Sequence, residues 1–373
     1  MIRVLHVVGK LNIGGAESRI MDLYRNIDRS HIQFDFMQHT EDVCAYQQEA
    51  EALGGHVYHV PRFRIYNILS YRRSWKKFFK EHPEIQVVHG HMTSTAGIYL
   101  PIAKKYGHTY TIAHARSAGV DSGIKGKITQ ILRKNLSDRC DQSFTCSKLA
   151  GEAVFGQKAM EEGKVKVIPN AIDVSKFAYD KSKRDEIRKQ YGIQESNFVI
   201  GHVGRFDTVK NHEYLLEIFK QCYQQNPQFR LMLVGDGPMK TPMQEKAKQL
   251  GIEKAVVFTG NQKKVEEYYQ AFDFFLLPSF YEGLPGTAIE AQTCGVAGIL
   301  SDTITQEAVV TDLMWQKSIE LSPEEWAEEI VQYEKRYDKN SRTSKVEEVR
   351  SAGFDVKLQA QKLSEFYQKA VKE

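Results

Sequence analysis

The stretch MIRVLHVVGKLNIGGAESRIMDLYRNIDRSHIQFDFM, residues 1–37, holds the key to the fold. Ile2–Val8 is a short apolar run of strand type. Gly14-Gly15 makes a turn, Ala16–Ile27 follows as an amphipathic helical stretch, and Phe34–Met37 is the next apolar run. Strand, helix and strand in that order imply parallel strands joined by a crossover helix. The alternation continues through His56–Val60, Ile85–His89, Thr109–Ala113, Ser143–Cys146 and Val165–Ile168, with helical stretches such as Ile98–Lys105 between most of them. It pauses at Pro169-Asn170 and the polar stretch Asp180–Lys189. It restarts with Phe198–Val203, Phe229–Val234, Ala255–Thr259, Phe274–Leu277 and Ala297–Leu300. From Pro323 onward the chain reads as wholly helical. The expected class is α/β, with two successive doubly wound domains, 1–175 and 176–355, whose loop ends face each other across a cleft. A length of 373 residues suits that count.

Composition narrows the function. With 42% hydrophobic and 26% charged residues the chain is neither disordered nor a small disulfide scaffold. A net charge of +4 from 51 basic and 47 acidic residues is too balanced for a nucleic-acid partner. The charge is uneven, however: residues 1–180 hold 25 Lys and Arg against 18 Asp and Glu, a net of +7, and the remainder is acidic. A basic first half points to an anionic partner or surface. The five cysteines are scattered without a C-x-x-C, as expected of a reducing cytoplasm. No signal peptide is read at the N-terminus. The longest apolar run, Phe272 to Phe280, is broken by Asp273, Pro278 and Ser279, so no span is expected.

Chemistry concentrates in the loops after the strands, where open parallel sheets bind ligands. The sharpest element is Tyr281-Glu282-Gly283-Leu284-Pro285-Gly286-Thr287-Ala288-Ile289-Glu290. Pro285 suits the first turn of a helix, and Gly283 and Gly286 let backbone approach a ligand. The N–H groups that follow form an anion site. Glu282 lies before the helix and Glu290 inside it, so the two carboxylates address different hydroxyls of one ligand. The same residues also fit a surface helix with an acid at its start. In Gly204-Arg205-Phe206-Asp207-Thr208-Val209-Lys210-Asn211, Lys210 sits where a helix Glu213–Gln221 begins. A cation there opposes the helix dipole unless an anion lies between. Arg205 and Lys210 together suit a diphosphate. Gly14-Gly15 offers another helix tip, while G-x-G-x-x-G is absent. His114 ends a strand and suits a hydroxyl or developing charge, although a satisfied structural histidine is the more frequent case. His89-Gly90-His91 shows no third metal ligand and reads as structural or acceptor-lining. No Asp-x-Asp pair occurs to hold magnesium on a diphosphate.

Together these elements resemble the family-4 retaining glycosyltransferases of GT-B fold, in the branch that builds bacterial capsule and exopolysaccharide units. The carriers are Glu282…Glu290, Gly14-Gly15, Gly204-Arg205…Lys210-Asn211, Val234-Gly235-Asp236-Gly237-Pro238 and Pro169-Asn170-Ala171-Ile172-Asp173. The resemblance implies two Rossmann-like domains, acceptor-binding then donor-binding, with a helix over 356–373 packing back on the first. It implies a catalytic centre of His114, Glu282, Arg205 and Lys210. The donor is expected to touch Gly15, Gly237, Phe258 and the run Glu282, Gly283, Leu284, Pro285, Gly286, Thr287, with Glu290 on the ribose. Gly14, His91, Arg116 and Asn170 are expected to line the acceptor. Two departures stand out. Many relatives carry a proline where this chain reads Gly295-Val296-Ala297, and bulky apolar residues where it has Gly286-Thr287.

The resulting expectation is a metal-independent, retaining transferase without cofactor. It takes a nucleotide-sugar, a UDP-sugar by preference, to a lipid-linked saccharide at the cytoplasmic face of the membrane. Two alternatives stay open at this stage: a GT-B-type sugar-nucleotide epimerase, and a non-catalytic partner subunit of an active transferase. Residues 62–80, RFRIYNILSYRRSWKKFFK, add seven cations without an acid. Ile68, Tyr71, Trp75 and Phe78 recur there at helical spacing, as a packed stripe or as anchors on an anionic membrane.

Overall fold

The computed structural model describes residues 1–117, 119 and 123–372. Two units divide the chain, one of Met1–Ala171 with Val356 onward, the other of Ile172–Asp355. The crossing falls a few residues before the expected 175.

The first unit is built on a seven-stranded parallel sheet: β1 (Ile2–Val7), β2 (Ile32–Gln38), β3 (Val57–His59), β4 (Ile85–Gly90), β5 (Tyr110–Ala115), β6 (Gln142–Thr145) and β7 (Val165–Val167). Their order is β3-β2-β1-β4-β5-β6-β7. Side chains alternate along each strand, so each face of the sheet packs against its own helices. On one face Val4, Phe34, Phe36, Val87 and Ile112 meet Ile20, Met21 and Tyr24 of the helix Gly15–Asn26. Leu363 and Tyr367 of the helix Val356–Ala370 join that core. On the other face Leu5, Val7 and Val88 meet Tyr71, Trp75 and Tyr99. The chain winds outward from β1 to β3, then crosses to β4, so the loops after β1 and β4 part company at a topological switch point.

The second unit repeats the plan with six strands: β8 (Phe198–Val203), β9 (Phe229–Val234), β10 (Val256–Gly260), β11 (Phe274–Leu277), β12 (Ala297–Ser301) and β13 (Met314–Lys317). Their order is β10-β9-β8-β11-β12-β13, with the switch point between β8 and β11. Strand β13 was not expected, because Met-Trp-Gln-Lys offers no apolar run; it is an edge strand, half-buried beyond Met314. The expected helical tail is also interrupted. Pro323–Glu334 is a helix, residues 335–345 are not helical, and Gly353 takes φ 92° before the last helix. Asp273, the charge inside the apolar run, is buried against two arginines. Arg184 donates to Oδ1 at 2.6 Å, Arg188 bonds Oδ2, and the Val199 N–H donates to Oδ2 at 2.8 Å. All five cysteines are buried and unbridged. Among the described residues no helix is long and apolar enough to cross a membrane.

Candidate functional site

In the second unit the switch point brings together residues far apart in sequence. After β8 the chain turns at Gly204, whose carbonyl lies so close to Gly235 that a Cβ there would sit 2.0 Å from it. Gly237 is held likewise, 2.4 Å from the Phe206 carbonyl by the same measure. The Phe206 N–H donates to Asp236 O and the Met239 N–H to Phe206 O, both at 3.0 Å, so the two loops are zipped together. Phe206 stacks on His212 at 4.1 Å and lies 6.0 Å from Phe258, which anchors the loop from below. Asn211, in the left-handed conformation at φ 53°, opens the helix His212–Gln225. Lys210 precedes it, and its ammonium is ion-paired with Glu282 Oε1. Ser279 Oγ donates to the same oxygen at 3.0 Å. Both charged side chains are 16% exposed, so the pair is largely withdrawn from bulk water. The cation expected beside an anion is thus held by a carboxylate. Arg205 is exposed, and its side chain makes no hydrogen bond or ion pair among the described residues.

Glu282 leads into the helix Gly286–Thr293, with Pro285 as N-cap at φ −71° and no side-chain cap. The first N–H groups of that helix have no intrahelical acceptor. Gly283 is not forced to be glycine by crowding, since a Cβ there meets nothing within 4 Å. Leu284 packs against the core instead of lining open space. The Thr287 hydroxyl is buried without a partner among the described residues. Glu290 is 4% exposed and accepts the Tyr269 hydroxyl at 2.8 Å, a neighbour the sequence pattern did not single out. Gly295 at φ 72° ends this helix against the Thr343 carbonyl, and Ala297 simply opens β12.

The first unit presents a different chemistry at its switch point. His6 on β1 and His89 on β4 are register partners, His114 lies on β5, and His91 follows β4. Their rings stack or tilt against each other with centroids 4.5–5.4 Å apart. Arg116 ties two expected acceptor residues together, donating from Nε to His91 Nδ1 at 3.3 Å and from its terminal nitrogen to Asn170 Oδ1 at 2.9 Å. Burial pulls its guanidinium down to about 10, so it stays charged at neutral pH. Burial, and then the Arg116 charge, holds His6 and His114 well below the usual histidine range. Gly14 and Gly15 start the helix Gly15–Asn26 without a side-chain cap, and a Cβ on Gly15 would meet nothing within 4 Å among the described residues. The Glu17 carboxyl at that tip is pushed up by burial.

His6 also supplies the third histidine that His89 and His91 lacked. One ring nitrogen of each lies within 4.8 Å of the others. The His6 Nδ1 to His91 Nε2 distance is 2.9 Å, a hydrogen bond. Two imidazoles on one tetrahedral ion stand about 3.3 Å apart, so the present packing is that of a hydrogen-bonded stack. His6 and Tyr367 escaped the sequence reading; a histidine near the end of three neighbouring strands was the available signal.

Residues 13–176 match the model of Glycosyltransferase Family 4, and residues 183–348 match that of Glycosyl transferases group 1. EpsF of Bacillus subtilis (strain 168), a glycosyltransferase by name, is 35% identical over 88% of this chain and 86% of its own. The chain belongs to glycosyltransferase family 4. Within that family it is similar to the capsular polysaccharide biosynthesis glycosyltransferase CapH of Staphylococcus aureus, 26% identical over 98% of this chain and 99% of the other. It is also similar to the UDP-Gal:alpha-D-GlcNAc-diphosphoundecaprenol alpha-1,3-galactosyltransferase of Escherichia coli, 27% identical over 58% of this chain and 57% of the other. Among solved structures, Anabaena Alr3699/HepE in complex with UDP shares the fold, with a TM-score of 0.80 and 19% identity over 99% of this chain and 100% of that one. The protein is therefore a glycosyltransferase of GT-B fold.

Proposed function

We propose that this transferase moves a sugar from a UDP-sugar to a lipid-linked saccharide, with retention of configuration and without a divalent metal. The observation that carries the reading is the meeting of Lys210 and Glu282 at the switch point of the second unit, beside the exposed Arg205. A diphosphate there draws on the Lys210 point charge, the Arg205 fork and the N–H groups after Pro285. Glu282 then exchanges part of its bond to Lys210 for sugar hydroxyls, and Glu290, fixed by Tyr269, reaches the ribose. In the reaction the bond from the anomeric carbon to the diphosphate oxygen breaks, and the acceptor oxygen bonds to that carbon on the same face. The acceptor proton passes to the departing diphosphate oxygen. Charge grows on that oxygen, and fixed cations and dipoles stabilise it without reorganising. UDP in the HepE complex and the name of the E. coli relative support the donor and acceptor classes. The test is transfer from a panel of UDP-sugars to a diphosphoundecaprenol-linked saccharide, with the anomeric configuration of the product read by NMR. Retention and indifference to excess EDTA are expected. Inversion, or a loss of activity restored by magnesium or manganese, overturns the reading.

We further propose reversible docking of the first unit on anionic membrane through residues 62–80. Tyr71, Trp75 and Phe78 are core residues here, which removes them as anchors. Ile65, Tyr66 and Leu69 replace them, 62%, 80% and 68% exposed beside the exposed Arg62, Arg64, Arg72 and Arg73. A cation near an anionic surface contributes about 1 kcal/mol, so four engaged together suffice for reversible binding. Wild type is expected to co-sediment with anionic liposomes at low salt, and a folded R72E/R73E/K76E/K77E variant to stay in solution. Equal sedimentation of the two rules the patch out.

A further inference from the structure

Two hydrogen-bonded chains run beneath the carboxyl ends of β1, β4 and β5. In one, the Tyr367 hydroxyl meets His89 Nδ1 at 2.5 Å, and His89 Nε2 meets His114 Nδ1 at 2.9 Å. In the other, Arg116 donates to His91 Nδ1, and His91 Nε2 meets His6 Nδ1 at 2.9 Å. A neutral imidazole has one N–H and one bare nitrogen, so a direction imposed at one end of such a chain runs to the other. All four rings are neutral near pH 7, because burial and the neighbouring charge of Arg116 keep them from protonating.

Arg116 has no acceptor, which fixes the second chain. His91 accepts at Nδ1 and donates from Nε2, and His6 is left with its hydrogen on Nε2. The first chain is decided by Tyr367. It is fully buried, and His89 Nδ1 is its hydroxyl's hydrogen-bond partner among the described residues. Burial holds the phenol well above its ordinary range, so it keeps its proton. Were the hydroxyl to accept from His89, its own O–H would be stranded in the core as an unmet donor. Donating, it makes His89 donate from Nε2 to His114 Nδ1, and His114 then carries its hydrogen on Nε2. The ends of both chains, His6 Nε2 and His114 Nε2, are buried nitrogens without a partner among the described residues.

We propose that Tyr367 and His89 are positioning residues that lock His114 as an Nε2–H donor, so that it meets an acceptor oxygen of the substrate and does not take a substrate proton. The proposal deepens the functional reading above and rests on it for the role of His114. It agrees with a reaction in which the departing diphosphate, not a side chain, receives the acceptor's proton. The ligand atom recognised is an oxygen lone pair, as on a sugar hydroxyl or a phosphate.

The test is a long-range 1H–15N spectrum of the histidine rings at pH 7.5, with His114 assigned by its loss in His114→Gln. A pyridine-type Nδ1 and a pyrrole-type Nε2 are expected; the reverse overturns the proposal. Tyr367→Phe keeps the ring and removes the hydroxyl. In that variant the His89 and His114 signals are expected to shift toward a mixture of tautomers. Its kcat should fall roughly three- to tenfold with the donor KM unchanged, the scale of one lost hydrogen bond. An unchanged spectrum or an unchanged kcat in the folded variant overturns the lock. Should Tyr367→Phe fail to fold, the wild-type spectrum decides by itself. That spectrum needs no turnover, so absence of transfer activity strikes the functional reading, whereas an inverted tautomer strikes the relay.

Discussion

Lowering the pH from 7.5 to 5.5 should destabilise this protein, and the first unit more than the second. Burial depresses five histidines in the first unit, His6, His39, His89, His91 and His114, and two in the second, His202 and His212. His39 and His212 are each pulled down to about 4. A histidine whose folded value lies below its unfolded value binds more protons when unfolded, so stability is full above about pH 6.5 and falls as pH drops through that value. At pH 5.5 the unfolded ring is mostly protonated and the folded ring is not, which costs about 1.4 kcal/mol per histidine. The sum approaches about 7 kcal/mol in the first unit and about 3 in the second, against a usual total of about 5–15. These are upper bounds, because local opening lets some rings protonate without global unfolding. Glu17, whose carboxyl burial pushes up, works in the opposite direction and offsets a small part. Urea unfolding followed by tryptophan fluorescence separates the units, since Trp75 lies in the first and Trp315 and Trp326 in the second. Comparison with Trp75→Phe isolates the second. A midpoint unchanged between pH 7.5 and 5.5, or an equal loss in both units, would refute the reasoning.

Lys210→Ala and Arg205→Ala should each lower turnover on the order of a hundredfold or more, since a preorganised charged donor contributes about 2.7–4 kcal/mol to the transition state; wild-type turnover in both would place the diphosphate elsewhere. Glu290→Gln should weaken UDP binding in calorimetry while leaving the fold intact, because Tyr269 can still donate to the amide oxygen; unchanged affinity removes Glu290 from the ribose. Asp273→Asn leaves Arg184 and Arg188 buried beside a neutral group. It should cost roughly 3–5 kcal/mol in urea unfolding, and a loss below about 1 kcal/mol would show that water reaches those guanidinium groups.

The strands that build the two sheets were legible because each is a short apolar run between turn residues. Strand β13 was not, because an edge strand needs no continuous apolar face and Met314–Lys317 has none. Lys210 and Glu282 each drew attention in the sequence as candidate donor residues, but their ion pair was not legible. Spacing along a chain says nothing of which loops meet at a switch point. The stack of histidines was half-legible. His89 and His91 drew attention as a pair, while His6 looked like one polar residue in an apolar strand. Tyr367 gave no signal at all, since an aromatic on an amphipathic helix reads as core, and it is core, with one polar atom spent on His89.

The helix Val356–Ala370 has a consequence for the birth of the molecule. Val356, Ala360, Leu363 and Tyr367 complete a core whose other members, Phe34 and Phe144 among them, leave the ribosome long before. All of Ile172–Asp355 is synthesised in between. At about 5–20 residues per second that interval is roughly 10–40 s. The earlier-made unit therefore waits through the whole synthesis of the later one for its last helix, with part of an apolar sheet face uncovered and His89 without its phenol. Nascent chains of this protein should be most in need of a chaperone during that wait.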